Sequence, residues 1–238
     1  MAAHDAGAAS ANRSLIRHFV KNPGSFCARL LAQLHAQVPL SRGNILSMTG
    51  FALGRVAAPD ITPQGLAARG WTASGLRTFL ARGAAPQGAA FADMRQVIAL
   101  SSRNMTSEDL DAVTTFLLGD APLPVRPPAI DPAQARAAAA GAGRQSYVAL
   151  CAGCHGLDGN GVPNTVVPMR DNSTLRLADP RNLIVAMLDG VGLANFPHSV
   201  NMETMPGFSG KLGDAAAAEL ANYLRIALLW TEGRCDGG

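Results

Sequence analysis

Apolar residues along this chain recur every three or four positions, which is the spacing of one face of an α-helix. A final helix is predicted from about residue 214 to 229, where this stripe consists of Ala217, Leu220, Leu224 and Ala227 or Leu228. The sequence contains no sustained alternation of apolar and polar residues of the kind that marks a half-buried strand. The pattern therefore predicts an all-α protein.

Further helices are predicted in the second half of the chain. A helix near Pro132–Leu150 precedes a cysteine motif, and a loop rich in Gly, Pro and Asn follows over residues 156–175. A short helix is expected at about 180–189. A loop that contains Met202 and Met205 then leads into the final helix.

Two helical segments of the first half recur in the second half at one shift, 183 − 76 = 107 residues. Leu76–Gly83 falls on Leu183–Gly190, and both segments predict a short helix that ends in glycine. Thr106–Leu117 falls on Gly213–Leu224, and both predict an amphipathic helix, the first with a Thr-x-x-Asp capping pattern. The shared shift predicts a tandem duplication.

A proline-rich stretch separates the two halves. Five prolines in the twelve residues Ala121–Pro132 are incompatible with a helix interior and predict a semi-rigid linker. We therefore expect a first domain over residues 12–121, a linker over 122–132 and a second domain over 133–230. The chain before this linker is called the first half below, and the chain after it the second half.

The composition is that of a globular protein, with 48% hydrophobic and 16% charged residues. The net charge of +3 comes without a basic run or an aromatic platform, so no nucleic-acid partner is expected. Four cysteines do not make a disulfide scaffold. Leu224–Trp230, the longest apolar stretch near the C-terminus, contains Arg225 and is far shorter than the roughly 20 residues that cross a bilayer. Met1–Phe19 lacks the apolar core of an export signal.

The sequence Cys151-Ala-Gly-Cys154-His155 is the motif that indicates a chemistry. C-x-x-C-H is the attachment signature of c-type haem. Two thiols three positions apart at the end of one helix can each reach one vinyl group of the porphyrin. The next residue, His155, is then placed to ligate the iron through Nε2.

Other sites also use paired cysteines. A thioredoxin-like C-x-x-C follows a strand and opens a helix, whereas an Ala-rich helix precedes this motif and a loop follows it. A zinc site needs a second ligand pair, and Cys27, Cys235 and His198 do not have that spacing. A chance match in an ordinary helical protein is the third alternative.

A sixth iron ligand is predicted at Met205, in a loop 205 − 155 = 50 residues after His155. Methionine usually fills cores, but here Pro206 follows it and restricts φ, which stiffens the loop. Met202 is the local alternative. Thioether and imidazole together raise the reduction potential and favour a one-electron carrier. With both axial positions filled, the iron is not expected to bind oxygen or a substrate.

These residues resemble class I cytochrome c domains. Over residues 12–230 the chain is similar to the last two domains of the multi-haem cytochrome c subunit of membrane-bound alcohol, gluconate or sorbitol dehydrogenases. Ser146–Pro163 matches the family's haem-attachment segment, and Val167-Pro168-Met169 matches its proline segment. The resemblance implies that the Pro168 carbonyl accepts a hydrogen bond from His155 Nδ1, a contact that orients a ligand ring.

The first half resembles the preceding haem domain of the same family. The resemblance rests on three segments, Ala58–Pro63, Gly70–Leu76 and Met94–Ser102. Met94 falls at the axial-methionine position, yet no C-x-x-C-H precedes it, because Cys27 has no partner three residues on and His35 follows leucines. We therefore expect a degenerate cytochrome c-like domain without haem. A reading-frame error around residues 23–50 and a non-covalent haem between His35 and Met94 are the alternatives.

The resemblance implies an electron-transfer subunit and not an enzyme. It implies one covalent haem c and single electrons passing from a dehydrogenase catalytic subunit toward quinone or a terminal oxidase, in the periplasm and membrane-associated through the complex. The expected cofactor-binding residues are Cys151, Cys154, His155, Pro168 and Met205, with His155 and Met205 on the iron. One alternative is an enzyme or sensor whose iron has an open position. The other is a degenerate, non-functional or structural paralogue.

Overall fold

The structure is a computed structural model, and it describes residues 50–119, 121–125, 129–163, 165–170, 172–192 and 202–229. Within these residues the fold is mostly helical, as predicted. The helices are α1 (Pro63–Ala68), α2 (Ala73–Arg82), α3 (Met94–Leu100), α4 (Ser107–Leu118), α5 (Pro132–Ala140), α6 (Ala142–Leu150), α7 (Ala152–His155), α8 (Arg181–Asp189) and α9 (Asp214–Asn222). Single 3₁₀ turns are formed by Ser102–Asn104 and Ser173–Arg176.

Two short antiparallel hairpins in the first half were not predicted. One pairs β1 (Phe51–Leu53) with β2 (Val56–Ala58), and the other pairs β3 (Ala84–Ala85) with β4 (Gly88–Ala89). Strands of two or three residues are too short to show a period of two, so the pattern of apolar residues does not reveal them.

The helix ends of the first half follow their capping residues. The Thr106 side chain accepts a hydrogen bond from the Asp109 backbone at 3.2 Å, and the Asp109 carboxylate accepts one from the Thr106 backbone, so α4 begins with the predicted capping box. Helix α2 ends at Gly83, whose φ of 77° places it in the left-handed region. The helices predicted over 76–83 and 106–117 are confirmed.

The helix predicted near 132–150 is interrupted. Gly141 is extended, with ψ of 174°, and separates α5 from α6. Two residues later, Gly143 lies against the backbone of Glu219 in α9, where a side chain would collide. Because glycine has no Cβ, α6 and α9 approach closely at this crossing.

The final helix is confirmed but does not stay regular. Helix α9 ends at Asn222, and the chain continues as a π-helical turn over Tyr223–Ala227. The predicted stripe faces inward, since Ala217, Leu220, Leu224 and Leu228 are all buried. Leu224 lies within the π-helical turn and Leu228 directly after it, so the buried stripe continues past the end of the regular helix.

Each half has its own apolar core. The second-half core consists mainly of residues from α6, α8, α9 and the π-helical turn, among them Tyr147, Leu183, Met187, Leu220 and Leu224. The larger of the two first-half clusters is built on Leu66, Trp71, Leu76, Leu80, Leu110 and Leu118. Trp71 meets Phe79 edge to face at 5.1 Å between ring centroids.

The shift of 107 residues maps helices onto helices. It carries the start of α2 from Ala73 to position 180, one residue before α8, and the start of α4 from Ser107 to Asp214, the first residue of α9. In both halves the two related helices pack against each other. These coincidences agree with a tandem duplication, while the two-domain division over 12–121 and 133–230 stays a prediction.

Candidate haem site

The two thiols of the cysteine motif lie on one helical turn. Cys151 ends α6, with its amide donating to Tyr147 O at 2.8 Å, and α7 begins at the next residue. The amides of Cys154 and His155 both donate to Cys151 O, at 3.2 and 2.9 Å. Residues three positions apart on a helix are neighbours, so Cys151 and Cys154 are placed to bind one group together.

The two thiols differ in their surroundings. Both are free, but Cys151 is buried whereas Cys154 is exposed. Burial raises the pKa of the Cys151 thiol to about 11, and the neighbouring Cys154 adds to the shift. Cys151 therefore lies in the core next to Tyr147 and Leu150, and Cys154 faces outward.

His155 is oriented by a backbone carbonyl, but not by the one that the resemblance implied. Its Nδ1 lies 3.1 Å from Val167 O, so the Pro168 carbonyl is not the acceptor. A backbone bridge between Val162 and Val166 turns the loop back toward the motif, and this register brings the residue before the proline to the ring. The prediction for the Pro168 carbonyl was wrong by one residue.

This hydrogen bond determines which nitrogen of His155 is available. A carbonyl can only accept, so Nδ1 carries the proton and the Nε2 lone pair is left for a ligand bond. Burial lowers the pKa of His155, and the hydrogen bond to Val167 opposes this shift. The ring is therefore neutral near pH 7, which is the form that binds a metal.

The loop after His155 turns back at Gly161. The amide of Gly161 donates to His155 O at 2.8 Å, and its φ of 64° lies in the left-handed region. A Cβ at this position would collide with Val166 O. Glycine is thus required both by the turn and by the close approach of the bridged segment.

Met205 is held by backbone pairing to the end of α8. Its amide donates to Val191 O at 3.0 Å and its carbonyl accepts from the Val191 amide at 2.9 Å. The side chain is half-buried and packs against the second-half core. Met202 is also half-buried, three residues before this pairing. The choice of Met205 over Met202 as the iron ligand stays a prediction.

The residues present fit a haem c. They offer two thiols on one turn, a neutral imidazole with an available Nε2, and a thioether on an anchored loop. Val148, Leu157 and Val162 near the motif are apolar and exposed, Leu157 by 70%, which suits a site for a large apolar ring. Among the described residues, no group of three or more His, Cys, Asp or Glu could hold a metal ion by itself.

The first half presents Met94 in a different setting. Met94 opens α3, is half-buried and packs into both apolar clusters of the first half, beside Phe79. This is the usual packing role of methionine. Cys27 and His35 lie outside the described residues, as do Cys235 and His198, so the non-covalent haem alternative stays untested.

The comparison with known families agrees with the motif. Residues 140–227 match the family model described as cytochrome c. This stretch is therefore similar to cytochrome c domains. It includes the cysteine motif, the His155 loop, α8, Met205 and most of the final helix. The relatives described next are named as cytochrome c subunits and not as catalytic subunits of dehydrogenases, in agreement with the predicted non-enzymatic subunit.

The chain has relatives among dehydrogenase subunits. The chain is 30% identical over 167 residues to the "Alcohol dehydrogenase (quinone), cytochrome c subunit" of Gluconacetobacter polyoxogenes, covering 66% of this chain and 35% of that protein. It is 27% identical over 190 residues to the subunit of the same name from Gluconobacter oxydans, covering 77% and 40%. It is 29% identical over 163 residues to the "Gluconate 2-dehydrogenase cytochrome c subunit" of Pantoea cypripedii, covering 65% and 37%.

The predicted resemblance is therefore confirmed at the level of the family and the kind of subunit. The chain spans little more than a third of the length of these curated relatives. In the part of the chain that the structure describes, every helix is too short or too polar to cross a bilayer.

Proposed function

We propose that this chain is an electron-transfer cytochrome subunit with one covalent haem c in its second half. Cys151 and Cys154 would hold the ring through thioether bonds, and His155 and Met205 would bind its iron. The observation that carries the proposal is the arrangement at His155, which follows two thiols on one helical turn and has its Nδ1 held at 3.1 Å by a backbone carbonyl.

When bound, the haem supplies a one-electron iron couple. The Val167 carbonyl keeps the His155 ring in one orientation and makes its Nε2 a stronger ligand. Pro168 acts through Val167, because a residue before proline is restricted to extended conformations. In this proposal Pro168 is a positioning residue that keeps the acceptor carbonyl beside the ring.

Met205 makes the site an electron carrier and not a substrate-binding centre. A thioether ligand raises the reduction potential and occupies the position that oxygen or a substrate would need. The pairing of Met205 with Val191 fixes the backbone of this ligand. In this proposal the chain transfers electrons, and no covalent bond of the protein is formed or broken in the transfer.

The partners follow from the names of the relatives. Since those proteins are cytochrome c subunits of alcohol and gluconate dehydrogenases, the electron donor proposed here is a dehydrogenase catalytic subunit. The acceptor is quinone or a terminal oxidase. The proposed location is the periplasm, with attachment to the membrane through the complex, because haem is joined to C-x-x-C-H outside the cytoplasm in bacterial systems of this kind.

Counting covalent haem tests the proposal. The full chain is fused to an export signal and expressed with the haem-attachment machinery, and haem per chain is measured by intact mass and pyridine haemochrome. We expect one haem, which is lost when Cys151→Ala and Cys154→Ala are combined. Cys27→Ala is the matched control, because it removes a thiol outside the motif, and it should retain the haem.

The same preparation separates the alternatives. A chain without haem, or a haem protein without a reversible one-electron couple, would support the degenerate paralogue. The direction of electron flow is tested by mixing the holoprotein with an alcohol or gluconate dehydrogenase catalytic subunit and its substrate. Stopped-flow absorbance monitors whether the haem is reduced.

A further inference from the structure

The first half contacts helix α8 of the second half at both of its ends. In the first turn, Asn182 Oδ1 accepts from the Ala57 amide and Asn182 Nδ2 donates to the Ala57 carbonyl, both at 2.8 Å. At the last residue, the Asp189 carboxylate meets both terminal nitrogens of the Arg55 guanidinium, at 2.5 and 3.1 Å. Asn182 and Asp189 are seven residues apart, so they lie on one face of α8, and the β1–β2 hairpin lies along that face.

The amide contact is the stronger of the two. The Asn182 side-chain amide forms two hydrogen bonds with the backbone of Ala57, one as donor and one as acceptor. A residue of a neighbouring strand would form the same pair. Asn182 is 9% exposed and Ala57 is half-buried. Losing the Asn182 amide would leave the partly buried amide and carbonyl of Ala57 without these partners, which costs more than a hydrogen bond exposed to water. This contact fixes the position of the first turn of α8 relative to the hairpin.

The ion pair acts at the helix end. The Arg55 and Asp189 side chains are 68% and 40% exposed, and an ion pair in such a setting is weak by itself. However, Asp189 is the last residue of α8, where a carboxylate meets the partial negative charge of the helix C-terminus. Arg55 neutralises that carboxylate and favours an intact last turn.

The last turn of α8 holds the methionine loop. Besides the Val191–Met205 pairing, the amide of Phe208 donates to Met187 O at 2.9 Å and that of Ser209 to Leu188 O at 3.1 Å. A Cβ on Gly207 would lie 2.7 Å from Leu188 O, so the loop backbone rests directly on the helix. A displacement of α8 therefore displaces Met205.

We infer that the β1–β2 hairpin is a brace for the methionine ligand, with Asn182, Arg55 and Asp189 as positioning residues. The inference rests on the proposed function, because it takes Met205 as the ligand of a haem iron. The hairpin holds α8, α8 holds the Met205 loop, and the weak sulfur–iron bond is thereby kept from opening. The first half thus contributes to the site although it has no haem-attachment motif of its own.

Competition with imidazole tests the brace. Added imidazole binds the ferric holoprotein only where Met205 leaves, so its apparent affinity reports how readily the ligand is displaced. For Asn182→Ala in the full chain we expect imidazole to bind about fivefold or more tightly than in the unsubstituted protein. The reduction potential should fall at the same time, since methionine ligation raises it.

The matched control is Arg77→Gln. It removes the exposed Arg77–Asp111 ion pair at 2.5 Å, which joins α2 to α4 inside the first half and does not touch α8. Imidazole affinity and potential should stay at the unsubstituted values. Arg77→Gln is matched to Arg55→Gln, described next, because each removes one exposed ion pair. A general effect of losing such a pair would appear in both variants, whereas a brace changes only the variants at contacts with α8.

Arg55→Gln provides a second test by imidazole binding in case Asn182→Ala does not fold. We expect imidazole to bind about two- to fivefold more tightly, and Asp189→Asn added to Arg55→Gln should reverse most of this effect, because no uncompensated carboxylate then remains at the helix end. Unchanged imidazole affinity and potential in both Asn182→Ala and Arg55→Gln holoproteins would overturn the brace alone. Unsubstituted protein without a methionine-ligated haem would overturn the proposed function, and the brace with it.

Discussion

At the residue scale, the chemistry of the site depends on which atoms of His155 are already engaged. The His155 Nδ1–H group donates a hydrogen bond to Val167 O, which lies 3.1 Å from Nδ1. Burial lowers the pKa of the ring, so the ring stays neutral near pH 7. A neutral ring with Nδ1–H bound is pre-oriented to ligate through Nε2. The protein thus prepares the ligand through its backbone, without a carboxylate partner.

Met205 and Met202 provide a direct comparison at this scale. Both are half-buried, but Met205 is the one paired with Val191 at the end of α8. We expect Met205→Ala to open the sixth position, so that the reduced holoprotein binds carbon monoxide and the potential falls by on the order of 0.1 V. Absorption spectroscopy and voltammetry measure the two effects.

Met202→Ala is the control for this prediction. It removes a thioether of the same size three residues away and should bind no carbon monoxide. The opposite pattern, with carbon monoxide bound by Met202→Ala and excluded from Met205→Ala, would reassign the ligand to Met202.

At the scale of elements, the ends of the helices position the site more than their lengths do. Cys151 caps the C-terminus of α6 and starts the haem-attachment turn. Gly190 caps the C-terminus of α8 and leads into Val191, which pairs with Met205. Gly190 has φ 78° and ψ 179°, a backbone region that only glycine adopts readily. A Cβ at Gly190 would lie 2.5 Å from Met205 O.

Gly190→Ala therefore combines backbone strain with a collision, and Gly119→Ala isolates the strain. Gly119 ends α4 with almost the same backbone, φ 79° and ψ 170°, and a Cβ there would meet nothing within 4 Å. Each substitution should cost about 1–3 kcal/mol of strain. The collision with the methionine loop should make Gly190→Ala worse by about 1–3 kcal/mol more.

Denaturant unfolding of the holoprotein, followed by far-UV circular dichroism and haem absorbance, measures both free energies. Equal losses in the two variants would mean that the loop yields to the methyl group. In that case α8 would not hold Met205 as tightly as the backbone hydrogen bonds indicate.

At the scale of the whole molecule, the two halves keep separate apolar cores and meet through specific polar contacts. Besides the contacts of the β1–β2 hairpin, the Ser173 amide donates to Gln87 O at 2.8 Å. Separate cores joined in this way tend to open as separate cooperative units. A haem bound in the second half should therefore stabilise that half more than the first.

Hydrogen exchange tests this independence. Removing the haem with Cys151→Ala and Cys154→Ala should lower protection across residues 140–227 by on the order of tenfold or more, while most of residues 50–119 change little. The β1–β2 hairpin is the exception, because it contacts α8. Uniform loss of protection in both halves would show that the described chain unfolds as one unit.

Much of this protein follows from its sequence alone. Helical periodicity, the cap at Thr106 and the glycine at the end of α2 are local signals, so the main helices could be predicted from neighbouring residues. The C-x-x-C-H motif and the order of His155 and Met205 indicate the chemistry for the same reason, since the spacing of side chains is itself the signal. The family and the kind of subunit were implied by the resemblance of these and neighbouring segments to dehydrogenase cytochrome c subunits.

Contacts of backbone atoms and contacts between distant residues required the tertiary structure. The acceptor for His155 is the main-chain oxygen of Val167. A main-chain oxygen has no side-chain signature, so the resemblance implied the carbonyl of the neighbouring Pro168 instead. The crossing at Gly143 and the contact between Ala57 and Asn182 join residues far apart in the chain. Such contacts arise only when the packing of elements brings them together, because local patterns carry no information about which distant backbone groups will meet.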